Sequence, residues 1–67
     1  MHTNQTENSL IKRFERLSAV LRTEQRRLLE AAAESYGLPN NGVLKQIAEL
    51  ELNIAAVENN LAELRIK

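Results

Sequence analysis

The stretch from Val43 to Leu64 constrains this chain more than any other. Its apolar residues fall at Val43, Ile47, Leu50, Ile54, Val57, Leu61 and Leu64, at intervals that alternate four and three without a break. Side chains so spaced line one side of an α-helix, because two helical turns take close to seven residues. A seam of this kind gains its stability by packing on another helix. The first half of the chain has to supply that helix.

The residues before the seam do so. Leu10, Phe14, Leu17, Val20, Leu21, Leu28, Leu29 and Ala32 give an apolar side to a first helix of about residues 9–36. Leu10, Phe14, Leu17, Leu21 and Leu28 keep the three/four rhythm, and Glu24 takes the slot between the last two. Asn8 or Ser9 can cap the helix by accepting a bond from an amide of its first turn. Residues 1–8 are polar apart from the first methionine, and read as a disordered tail.

The end of the first helix is marked by Tyr36-Gly37-Leu38-Pro39. Gly37 stands where a left-handed residue closes a helix, Leu38 is able to fold back on the last turn, and Pro39 cannot continue the helix. Tyr36 reads as a cover for the hairpin end. Asn40 or Asn41 then caps a second helix of about residues 42–66, with Gly42 a weak point in its first turn. A turn over residues 37–41 is short, and short connections join antiparallel neighbours. The fold class is therefore all-α, an antiparallel two-helix hairpin of coiled-coil type over residues 9–67.

Folding about Pro39 sets Tyr36 near Val43, Ala32 near Ile47, Leu28 or Leu29 near Leu50, Leu21 near Val57 and Leu17 near Leu61. Charge favours the same docking. Lys12 to Arg27 holds six basic and two acidic residues, whereas Val43 to Leu64 holds Lys45 against Glu49, Glu51, Glu58 and Glu63.

Two helices do not absorb all the apolar residues. Ile11, Val20, Leu29, Leu44, Leu52, Ala55, Ala56, Ala62 and Ile66 lie outside the narrow seams. A chain of 67 residues buries a modest share of its surface, and this one has no cysteine to cross-link it. The surplus is expected to complete a helical bundle, either with a second copy or with a helical partner protein. The candidate interaction face comprises Leu29, Leu44, Ile47, Leu52, Ile54, Ala55, Leu61 and Ile66. Glu24, Arg26 and Arg27 are candidates for specificity, since polar groups near a seam fix register and partner choice.

Catalysis finds little support. The only glycines are Gly37 and Gly42, so no phosphate-binding loop is present, and the single His2 is remote from every serine of the folded part. No catalytic, cofactor-binding or metal-ligating set is assigned. Nine basic residues balance nine acidic ones, which points away from nucleic acid and membrane surfaces. A basic patch at Arg22, Arg26 and Arg27 leaves one nucleic-acid alternative, a hairpin dimer that grips RNA. The N-terminus lacks the basic-then-apolar order of a secretion signal, and the chain reads as cytoplasmic.

Leu44-Lys-Gln-Ile-Ala-Glu-Leu-Glu51, followed by Ile54, Val57 and Leu61, resembles the C-terminal helix of the small type III secretion needle co-chaperones. Arg16-Leu17-Ser18-Ala19-Val20-Leu21 is similar to their first helix. The resemblance implies a helical hairpin that is the cytosolic partner of a larger chaperone, which shields the needle subunit. A second likeness runs through Tyr36-Gly37-Leu38 and Val43-Leu44-Lys45, which resemble the hairpin of the sporulation aspartyl-phosphate phosphatases. The serine and aspartate on which that family's activity depends fall at Ile47 and Glu51. Ile47 offers no hydroxyl, so that chemistry does not carry over unchanged.

Overall fold

The computed structural model describes the backbone of residues 5–66 and the side chains of residues 8–66. It contains two helices, α1 (Gln5–Ala33) and α2 (Asn41–Ile66), packed side by side as an antiparallel hairpin. The hairpin is a rod with principal extents of 57 × 14 × 14 Å.

On α2 the seam packs as its spacing requires. Ile54 and Leu61 are buried at 2% and 4% exposure, and Val43, Ile47, Leu50, Val57 and Leu64 are half-buried. On α1 the packed stripe differs from the apolar one. Ile11, Phe14, Ser18, Leu21, Gln25, Leu28 and Ala32 are buried or half-buried and also alternate three and four, with Glu24 half-buried beside Gln25. Phe14, Leu21 and Leu28 are common to both stripes. Leu10 and Leu17 are displaced to the margin, 36% and 43% exposed, and Ser18 and Gln25 take the inner slots. Relative to the expected stripe the helix is rotated by roughly 50°, at 3.6 residues per turn. The alternative orientation would press the Glu24 carboxylate into the seam near Ile54. Burying a charge there costs more than burying a neutral amide and a hydroxyl that find acceptors.

The ends of α1 also differ from expectation. The helix already includes Gln5–Asn8, so neither Asn8 nor Ser9 is its first cap. No proline or glycine precedes Gly37, and nothing in that segment breaks a helix. The remainder of the expected tail, residues 1–4, lies outside the described residues, as does Lys67. At the other end α1 stops at Ala33, three residues before Tyr36. Its last turn holds Glu30 and no basic residue, and Glu34 follows at once; negative charge is unfavourable at the carbonyl end of a helix. The Glu34 amide is shared between the carbonyls of Glu30 and Ala31, and the Ser35 amide donates to Ala32, which tightens the last turn. Gly37 does not take a positive φ, so the left-handed closure expected there is absent. Leu38 and Tyr36 project into solvent and cover nothing.

The start of α2 is capped by Asn40. Its Oδ1 accepts the Val43 amide at 3.0 Å, and its carbonyl accepts the amides of Val43 and Leu44. This cap explains Gly42. A Cβ at that position would lie 3.2 Å from Asn40 Oδ1, so a side chain would press on the capping carboxamide. Asn40→Ala is expected to destabilise the hairpin by about 1 kcal/mol, read as a lower melting temperature by circular dichroism. An unchanged melting temperature would show that the cap contributes nothing.

Candidate interaction faces

Ser18 and Gln25 sit seven residues apart on α1, and each bonds across to α2. Ser18 Oγ donates to Glu58 Oε2 at 3.2 Å, and Gln25 Nε2 donates to Glu51 Oε1 at 2.8 Å. Arg22, on the adjoining turn, donates from Nε to the same Glu58 oxygen at 3.0 Å and forms an ion pair with it through its terminal nitrogen. Glu15 and Arg65 close the far end of the row, with 2.7 Å between Nη2 and Oε2. All these links run along one flank of the hairpin. They agree, within about a turn, with the pairing that folding about Pro39 sets.

The other flank is different in kind. It carries Leu10, Leu17, Glu24 and Ala31 from α1, and Gln46, Asn53 and Asn60 from α2. Glu24 is the sole charge among these seven, and Arg27 on the next turn holds it at 2.5 and 3.0 Å. No hydrogen bond crosses between the helices there among the described residues. The hairpin therefore has a flank knitted by charged groups and a flank largely free of them.

The candidate interaction face divides three ways in the fold. Ile47, Ile54 and Leu61 are spent inside the hairpin, where α1 covers them, and are not available to a partner. Leu29 and Leu44 lie near the turn on the bonded flank, 48% and 38% exposed. Leu52, Ala55 and Ile66 lie on the side of α2 turned away from α1, with Leu52 and Ile66 among the most exposed aliphatic residues. Apolar spacing alone cannot tell a residue that closes the hairpin from one that extends beyond it.

The specificity candidates separate as well. Glu24 lies beside the seam and not in it; Gln25 holds the seam slot. Of the basic patch, Arg22 is committed to Glu58 and Arg27 to Glu24. Arg26 is exposed beside an open groove that includes Leu29 and Glu30. Three guanidinium groups that look contiguous in sequence thus point to three different surroundings, and two of them already hold carboxylates. Positions 47 and 51, where the phosphatase likeness places its chemistry, are a half-buried isoleucine and a glutamate bonded to Gln25.

Ser18 and Gln25 are the functional-looking residues that apolar patterning missed. The signal was available, because Ile11, Phe14, Ser18, Leu21, Gln25, Leu28 and Ala32 already keep the three/four rhythm. Two polar members hid it.

The electrostatics carry a pH dependence. The hydrogen bond from Arg22 holds the Glu58 carboxyl below its ordinary value of 4.5; the cost of burial opposes it, and the charge of Arg22, the Ser18 hydroxyl and the charge of Arg65 add smaller lowering effects. Arg27 lowers Glu24 in the same way. A depressed carboxyl contributes stability above its unfolded value and loses it as pH falls through the folded one. The hairpin is therefore expected to melt at lower temperature as pH drops below about 4.5. Glu58→Gln is expected to flatten that dependence, and equal acid sensitivity of parent and variant would remove Glu58 from the account.

No helix among the described residues is long and apolar enough to cross a membrane. No protein-family model matches the chain, and searches of characterised proteins and of solved structures return no significant match.

Proposed function

We propose that this chain is a non-enzymatic interaction module that works by helix-to-helix packing. The observation that carries the reading is the contrast between core and surface. Among the described residues only Leu28, Ile54 and Leu61 are buried apolar side chains, while Leu17, Val20, Leu29, Leu44, Leu52 and Ile66 remain exposed along the rod. So small a core leaves a hairpin marginal, and covering the exposed residues with further helices adds the missing burial. The polar groups of the bonded flank serve to fix the register of the two helices, and the reading assigns them no catalytic task.

The likeness of Leu44 to Glu51 and of Arg16 to Leu21 to the type III secretion needle co-chaperones supports a finer version. In it the hairpin acts in the cytoplasm beside a larger helical chaperone that shields the needle subunit. Co-expression of the chain with such a chaperone and its needle subunit tests this. The expected result is a complex of fixed stoichiometry in which the exposed aliphatic residues become protected from hydrogen exchange. A chain that stays a rigid, fully folded 7.6 kDa monomer both alone and on co-expression with the chaperone would overturn helix association altogether.

A further inference from the structure

We infer that the flank poor in charge is the docking surface for a second copy of this chain, giving a four-helix bundle. This rests on the helix-association reading and names its partner.

The hairpin's own bonds show which residues of α1 and α2 stand at the same height along the rod. Ser18 is level with Glu58, and Gln25 with Glu51. Five residues before Ser18 is Arg13, and five after Glu58 is Glu63. Two after Ser18 is Val20, and two before Glu58 is Ala56. Two after Gln25 is Arg27, and two before Glu51 is Glu49. All six side chains are exposed. By helical spacing all six lie on the outer edge of the flank poor in charge, each seven residues from the next on its helix. One edge thus reads basic, aliphatic, basic, and the other, level by level, reads acidic, small, acidic.

A two-fold axis parallel to the helices, placed against this flank, sets α1 of each copy over α2 of the other. The symmetry keeps every residue at its own height, and the facing helices run antiparallel, as neighbours do in such bundles. Arg13 then meets Glu63 of the second copy, Arg27, which also holds Glu24 of its own helix, meets Glu49, and the protruding Val20 meets Ala56. No sliding is needed, because the hairpin already fixes the levels. Leu10 and Leu17, left at the margin by the rotation of α1, become covered between these edges.

Along the 26 residues of α2, about 39 Å, the flank is long enough to hold all three levels. Depletion of charge at the centre with charge at the rim is the usual layout of such a surface.

Charge reversal tests the inference. The parent, Arg13→Glu/Arg27→Glu and Glu49→Arg/Glu63→Arg are compared by sedimentation equilibrium, with circular dichroism to check that each is helical. The parent is expected to dimerise, and each reversed variant to dimerise at least about tenfold more weakly, since the two-fold turns one reversed pair into two repulsive contacts. Mixing the two variants is expected to restore a dimer that contains one of each. Val20→Cys chains mixed with Ala56→Cys chains supply a second readout, a disulfide between the two under oxidation that neither variant forms alone. Reversed variants as dimeric as the parent, together with no mixed disulfide, would overturn this face and leave helix association standing. A parent that stays monomeric would overturn the second copy as partner, and helix association would then rest on the chaperone complex alone.

Discussion

Ile54→Asp is expected to unfold the hairpin, whereas Leu52→Asp, two residues away, leaves it folded. Both replace a branched aliphatic residue with the same carboxylate on the same helix, so intrinsic helix propensity is matched closely. What differs is where the side chain points. Ile54 is 2% exposed against α1, while Leu52 is 71% exposed on the opposite side of α2. Loss of the buried isoleucine removes about 1.5–3 kcal/mol, and an unpaired carboxylate in its place adds a further desolvation cost. Together they exceed the roughly 3–5 kcal/mol that a core of this size supplies. Leu52→Asp should change stability by about 0.5 kcal/mol or less, as surface substitutions usually do. Thermal melts followed at the helical circular dichroism band decide it. Equal melting temperatures would mean that the seam of α2 faces elsewhere.

The second large effect runs the other way. Ser18→Val combined with Gln25→Leu is expected to raise stability, by about 2 kcal/mol if both new side chains bury most of their apolar surface. The bonds given up are modest. Glu58 keeps Arg22, and the Glu51 carboxylate is exposed and returns to water. The gain should come with a loss of definition. Ser18 and Gln25 bond only when the helices sit at one height, and polar groups at seam positions trade stability for register. An all-apolar α1 seam can slide by a heptad or pair with additional chains at little cost. The double variant should therefore melt higher yet show several species by light scattering after gel filtration. A variant that melts lower, or that matches the parent in size distribution, would show that the two polar residues do not set register.

The sequence by itself determined the helical hairpin, the antiparallel sense and the packed side of α2. Seven aliphatic residues from Val43 to Leu64 leave that helix one side to pack. Pro39 and Asn40 mark the reversal and the second start, because one cannot continue a helix and the other can cap one. The packed side of α1 was decided only by tertiary structure. Two stripes compete on it and share Phe14, Leu21 and Leu28, and apolar content favours the one through Leu10 and Leu17. The other wins because Ser18 and Gln25 find acceptors on α2 while Glu24, half-buried at the edge of the seam, keeps its carboxylate on Arg27. Those acceptors lie 40 and 26 residues away in the chain, so their effect is invisible to local spacing. The same holds for the interaction surfaces. Which aliphatic residues close the hairpin and which remain free depends on the rotation of α1 about its own axis, and that rotation is set by bonds that exist only after the two helices have met.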